Sequence, residues 1–248
     1  IQYLSNGDKI IHESYVEEIQ NVLEHPIEKA SMRVIHTMHS IEPITITEEH
    51  PVFALKDIGK AYNFNEIKKR LDNHTIAPDW IDVKDLQTRD FIAYPIPQYQ
   101  KDITNISEDD CYFYGVLLGD GHVNQTSMYG HITFHTIDKK HIGDFLKCYF
   151  DSKCIQYDES VEGNTSRIRW NKTTILPIKY GDIYDMNKEK HVSPKWLHLP
   201  REKISKIVQG LMDTDGCVAK EIVFDSTSRN LIESMRYMCL RLGMLTSG

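Results

Sequence analysis

The sequence has no apolar run approaching the length of a membrane span, and no basic-then-apolar leader. Residues 1–30 are acidic and mixed instead. The expectation is an intracellular protein, cytoplasmic or nuclear. Cysteine is sparse: Cys111, Cys148, Cys154, Cys217 and Cys239, with no CxxC pair. An odd count without metal-ligand spacing argues for reduced thiols rather than a disulfide framework. Net positive charge is also missing. There are 29 Lys+Arg against 36 Asp+Glu, a net of −7, which is wrong for a uniformly basic nucleic-acid binder. The distribution is uneven, however. Residues 1–110 carry 11 basic and 20 acidic side chains, and the remainder carries 18 and 16. A polyanionic partner would therefore touch the second part only. What is present is ordinary globular material: 248 residues, 40% hydrophobic and 26% charged, enough for one large or two ordinary domains.

The first hundred residues are β-rich in pattern. "MRVIHTMHS" and "EPITITEEHPVFAL" are strand-like, and "DWIDVKDLQTRDFIAYPIP" adds two short strands bounded by Asp and Pro. Helical interruptions are expected near 12–25 and 57–72. The polar, Pro-containing stretch 94–107 reads as a linker. After it the pattern changes. Ser107 and Asp110 form a capping box for a helix running to Asp120 and ending at Gly121, expected as the left-handed stop. "HVNQTSMYGHITFHT" reads as a hairpin with His131, Thr133 and His135 on one face and Ile132 and Phe134 on the other. A helix from about Asp138 follows, with Ile142, Phe145, Leu146, Tyr149 and Phe150 at helical spacing. "TSRIRWNKT" is a strand with Arg167 and Arg169 on one side.

The pattern then restarts. Ile204, Ile207, Val208, Leu211 and Met212 form a second apolar helix ending at Asp215-Gly216, followed by the strand pair "CVAKEIVFDSTS" and a helix from Ser228 to a stop at Gly243. "FYGVLLGDG" (113–121) and "VQGLMDTDG" (208–216) thus head two copies of one unit, helix–Asp–Gly–hairpin–helix, which suggests a pseudo-twofold fold.

A lone apolar helix ending in Asp-Gly is usually only a helix end. Two equivalent ones differ, because a carboxylate at a helix C-terminus is disfavoured by the macrodipole unless a cation compensates. Side by side, Asp120 and Asp215 repel unless they share a divalent ion, and hard oxygen ligands favour Mg²⁺. Two-metal chemistry on a phosphodiester follows as a candidate. Gly115, Gly119, Gly210 and Thr214 supply the small residues that close helix contact needs. The twisted ribbons could enter a major groove, with His131, Thr133, His135, Arg167, Arg169 and Lys220 as candidates for DNA contact.

These residues resemble the LAGLIDADG homing endonucleases. "VQGLMDTDG" matches the nine-residue motif at the Gly-Leu, the two acids and the final Gly. "FYGVLLGDG" keeps the first Gly, the acidic eighth position and the last Gly, with Leu118 in place of the first acid. The resemblance implies Asp120 and Asp215 as catalytic, metal-binding acids, and the carbonyls of Gly119 and Thr214 as further ligands. "EKHVSPKWLHLP" resembles the stretch that carries the catalytic lysine in intein-borne members. It nominates Lys190, with Lys188 and Lys195 as alternatives. "ITITEEHPVFAL" resembles the TxxH block of inteins and related Hint domains. There Thr47 and His50 would hydrogen-bond and protonate the amide at the N-terminal splice junction.

The implied architecture is a mostly-β, horseshoe-like Hint domain over 1–105, followed by an α/β LAGLIDADG domain over 106–248. Its αββαββα scheme gives repeat one as 107–200 and an incomplete repeat two as 201–248. The implied function is an intein with a nested, Mg²⁺-dependent, site-specific double-strand DNA endonuclease, together with autocatalytic protein splicing in the complete protein. Its partners would be duplex DNA, the flanking host segments (exteins) and a complementary C-terminal intein fragment. The chain departs from the intein pattern: Ile1 stands where a Cys, Ser or Thr nucleophile is needed, and the C-terminal His-Asn blocks are absent. The alternative is a splicing element whose degenerate nuclease survives as a nucleic-acid-binding scaffold.

Overall fold

A computed structural model of the chain describes residues 4–11, 14–23, 31–37, 43–56, 63–125, 128–171 and 175–247. The chain divides into two compact units, Ile1–Pro97 with Thr246–Gly248, and Gln98–Leu245.

Unit one is built of short antiparallel strands. β1 (Lys9–Ile11) pairs with β2 (Val16–Glu18), and β3 (Met32–Ile35) pairs with β4 (Ile44–Thr47). β5 (Pro51–Leu55) lies between β6 (Asp79–Asp82) and β7 (Phe91–Ile92). Helix α1 (Phe64–Asp72) starts on Asn63, whose side chain accepts from the Asn65 N–H at 3.0 Å, as an N-cap should. The β-rich pattern of this region is observed. The helix expected near 12–25 is not, because Val16–Glu18 is strand; residues 12–13 and 24–25 of that span lie outside the described residues. Of the span 57–72, residues 57–62 also lie outside them. Thr47 ends β4 and His50 precedes β5, so the two flank one tight turn. The His50 N–H donates to the Thr47 carbonyl at 3.1 Å, and the His50 carbonyl accepts from the Val83 N–H at 3.1 Å.

Unit two is built around two apolar helices. α2 (Glu108–Asp120) opens on the capping box read from the sequence. The Ser107 hydroxyl accepts from the Asp110 N–H, and the Asp110 carboxylate accepts from the Ser107 N–H at 2.8 Å. Its chain continues into β8 (Gly121–Val123) and β9 (Gly130–His135), then α3 (Lys140–Ser152), β10 (Tyr157–Glu162) and β11 (Thr165–Trp170). The sheet order is β10-β11-β9-β8, all antiparallel. Ile132, Phe134, Ile168 and Trp170 are buried on one face, as period-2 alternation requires. Phe113 fills the space behind them, with ring centroids 4.7 Å from Tyr149 and 5.8 Å from Trp170. Gly143 of α3 leaves room for the Phe134 ring, which a Cβ would meet at 2.6 Å.

Short helices α4 (Tyr180–Ile183) and α5 (Pro194–Leu197) lead to α6 (Arg201–Asp215). β12 (Gly216–Val218), β13 (Ile222–Phe224) and α7 (Arg229–Arg241) follow. α2 and α6 make the most extensive helix contact in the unit. Small residues permit it. A Cβ on Gly210 would stand 2.5 Å from the Tyr112 carbonyl oxygen and 2.7 Å from the Val116 nitrogen; one on Gly115 would overlap the Ile207 carbonyl. The left-handed stop expected at Gly121 is absent. Gly121 has φ −96° and ψ 160°, extended backbone that starts β8, and Gly216 does the same with φ −87° and ψ 152°. Glycine is required there by space, because a Cβ at Gly121 would come within 2.6 Å of the Leu117 carbonyl oxygen. Gly243, with φ +85°, is the true left-handed stop, after α7.

Candidate active site

The seam brings the two helix C-termini together. Each helix ends in an acid, Asp120 on α2 and Asp215 on α6. Two lysine ammoniums stand among these groups. Lys190 donates to the Gly119 carbonyl at 2.6 Å. Lys139 donates to the Thr214 carbonyl at 2.6 Å and to the Asp120 carboxylate at 2.9 Å. Both carbonyls are the penultimate ones of their helices, and each carries the negative end of a macrodipole. The Asp215 carboxyl is held above the usual carboxylate range by its burial and by the nearby Asp120 charge, against the pull of Lys190 and Lys139. Burial pushes the Lys190 ammonium down, opposed by Asp215 and Asp120.

Lys190 is held from behind. Its carbonyl accepts from the Ser228 hydroxyl at 2.6 Å, and Ser228 is itself the N-cap of α7, accepting from the Leu231 N–H. The two alternative lysines are placed differently. Lys195 pairs with Asp182 at 2.7 Å, and Lys188 occupies an exposed turn at φ +63°. Lys188, Lys190, Gly119, Asp215, Asp225 and Ser228 line one open groove of about 850 Å³. The first acid of the second motif, Asp213, points elsewhere and accepts from the Tyr112 hydroxyl at 2.7 Å. Its counterpart Leu118 is fully buried.

Among the described residues no cluster of three or more His, Cys, Asp or Glu could hold a metal ion. A cation at the seam would be bound by two carboxylates and main-chain carbonyls. That donor set fits a hard divalent ion, since the Gly119 and Thr214 oxygens already attract positive charge here.

The polar face of the four-stranded sheet lies opposite its core face. The register sets His122, His131, Arg169 and Asp158 in one row, and Thr133, Arg167 and Ser160 in the next. Arg167 Nε donates to Thr133 Oγ1 at 3.1 Å. Burial, then Arg167, His122 and Arg169, hold the His131 ring below its ordinary pKa. His135 ends the same face, where its Nδ1 accepts from the Asp138 N–H at 3.2 Å. Five of the six nominated DNA-contact residues therefore share one face. Lys220 does not; it sits in the exposed turn joining β12 to β13. Sequence reading placed Ser228 at its helix start but missed its hold on Lys190, and it missed Lys139 and the contribution of His122 and Asp158 to the sheet face.

Comparison with known proteins bears on the second unit most directly. Residues 202–247 match the model described as the LAGLIDADG-like domain. Two curated relatives come from Methanocaldococcus jannaschii. One is "ATP-dependent DNA helicase Hel308", 26% identical over 231 residues, covering 86% of this chain and 17% of that protein. The other is "Uncharacterized protein MJ0043", 25% identical over 287 residues, covering 96% of this chain and 35% of that protein. The chain thus spans well under half the length of the curated relatives it matches. Among solved structures, variants of the homing endonuclease I-DmoI align with TM-score 0.43 and 13% identity, over 56% of this chain and 79% of theirs. I-DmoI in complex with DNA and Ca aligns at 0.42 and 14%, over 56% and 74%. Among the described residues no helix is long and apolar enough to cross a membrane.

Proposed function

We propose that the chain belongs to an intein whose nested LAGLIDADG nuclease cuts duplex DNA at a long, specific site with Mg²⁺. The observation that carries the reading is the seam. Two apolar helices deliver two acids, two helix-terminal carbonyls and two ammoniums to one place. Asp120 and Asp215 would hold the ion, with the Gly119 and Thr214 carbonyls as further ligands. When bound, it supplies Lewis-acid activation of the scissile phosphate and the attacking water. Lys190, whose charged form burial disfavours, would take a proton from the attacking water as the neutral amine, or neutralise charge building on the phosphorus oxygens as the ammonium. The face carrying His131, Thr133, His135, Arg167 and Arg169 reads base edges in the major groove, and Lys220 contacts the phosphate backbone from its own hairpin.

The splicing half of the reading rests on Thr47 and His50, which flank one turn between strands. The helicase relative adds support. A module matching 17% of a longer protein is the arrangement that an element carried within a host protein has.

The test is a plasmid library of random targets, incubated with the chain and Mg²⁺ after supply of a complementary C-terminal segment. The wild type should linearise a defined subset, and Asp120→Asn and Asp215→Asn should abolish cutting. Retention of a bound DNA subset with no cutting by the wild type would favour the degenerate scaffold instead. For splicing, restored flanking segments should be ligated by the wild type and left unjoined by His50→Ala.

A further inference from the structure

Lys139 touches oxygens of both repeats. Its ammonium lies 2.9 Å from the Asp120 carboxylate of the first and 2.6 Å from the Thr214 carbonyl of the second. Lys190 differs, since its hydrogen bond goes to a main-chain carbonyl, that of Gly119. We propose that Lys139 is a resident counter-ion of the two-acid seam, which a divalent cation must displace from Asp120 and Thr214 in order to bind. This rests on the metal reading above.

The physical argument begins with charge. Two carboxylates at two helix C-termini form a concentrated negative site, and burial makes it unfavourable without compensation. Two ammoniums balance the two carboxylates, so the seam closes without an ion. The oxygens that Lys139 engages are the same hard donors a divalent ion requires. An ammonium that clamps the Asp120 carboxylate and the Thr214 carbonyl together would stand where an ion bridging the two helix ends would sit, and the two cations repel at that separation. Lys139 is also suited to leave. It sits at the N-cap position of α3, makes no side-chain cap bond there, and its side chain is 28% exposed. Its four-carbon stem can swing the charge into water without disturbing the backbone.

The experiment is cation titration of the full chain by calorimetry with Ca²⁺, free of DNA, alongside melting in EDTA. Lys139→Met keeps the stem and removes the charge. It should bind Ca²⁺ about tenfold more tightly than wild type, and melt lower in EDTA, with the gap closing at saturating Ca²⁺. On the wild type, reductive methylation read by mass spectrometry should modify Lys139 slowly in EDTA and faster with Ca²⁺, which keeps the idea testable if K139M folds poorly. Binding by the wild type with K139M equal or weaker, or no Ca²⁺ effect on Lys139 methylation, overturns the counter-ion role alone. Failure of both proteins to bind a divalent cation would remove the metal site itself, and the counter-ion role with it.

Discussion

Helix α2 starts on the Ser107–Asp110 box, with the buried Asp110 also accepting from the Tyr149 hydroxyl at 2.6 Å and from Lys153 at 2.9 Å. Helix α6 starts on Pro200 with no side-chain cap. Behind α2 stands a four-stranded sheet with Ile132, Ile168 and Trp170 buried; behind α6 stand two three-residue strands whose Val218 and Ile222 are exposed. Both lysines at the seam come from the first repeat. Beyond their shared order of elements, the two copies are most alike where the helices touch, at the glycines, the penultimate carbonyls and the terminal acids. The lesson is that close packing enforces likeness locally. Gly115 and Gly210 each sit against the other helix's backbone, so neither can change alone, whereas the surrounding strands of each repeat are free to diverge.

That comparison can be broken by mutation, starting with the largest effect. Trp170→Ala, in the first repeat's core, should lower unfolding free energy by about 4 kcal/mol, while Val218→Ala in the second should change it by less than about 0.5 kcal/mol. Denaturant titration measures both, and similar effects would mean the repeats are equally supported. Gly210→Ala puts a methyl against the α2 backbone and should cost about 3 kcal/mol, an overpacking penalty that no side-chain rotation relieves. A neutral Gly210→Ala would show that the seam is looser than the contact distances imply.

Asp110→Asn should cost about 2 kcal/mol at neutral pH. Burial raises the Asp110 pKa, but the hydrogen bonds from Tyr149, Lys153 and Ser107 outweigh it and hold the carboxyl below its ordinary range. A depressed folded pKa stabilises the protein above the unfolded value, and that contribution disappears as pH falls through the folded one. The gap between wild type and D110N should therefore be full above about pH 4 and close below it. A gap that persists in acid would assign the effect to packing.

Asp215→Asn runs the other way. Its carboxyl is raised in the folded state by burial and Asp120, so the ionised form costs stability above the folded pKa, and the cost vanishes below the unfolded one. In EDTA at neutral pH the variant should melt slightly higher than wild type, with the difference shrinking in acid. A lower melting temperature would mean that Lys139 and Lys190 more than compensate the charge.

Much of this was readable in the residues. The Ser107–Asp110 capping box located α2, apolar positions at helical spacing located α3, α6 and α7, and alternation located β9 and β11. β10 was invisible because "YDESVE" is an exposed edge strand with no alternation to detect. The strand Val16–Glu18 lies in a polar stretch where neither period is expressed. Gly121 was placed correctly and explained wrongly, because its need is room beside Leu117 rather than positive φ. Lys139 carried no signal: it is one of many lysines, 19 positions after Asp120, and only the path through β8 and β9 returns it to the helix end.

The sequence by itself determined that two apolar helices would each end in an acid and a glycine, and that small residues would let them touch. It did so because helical period, capping chemistry and side-chain volume are local properties written into a few neighbouring positions. The tertiary structure alone decided which cations face those acids, which carbonyls they hold, and that the first repeat supplies both. Those contacts join residues 19 to 75 positions apart. The folded path, rather than any local pattern, sets their distances.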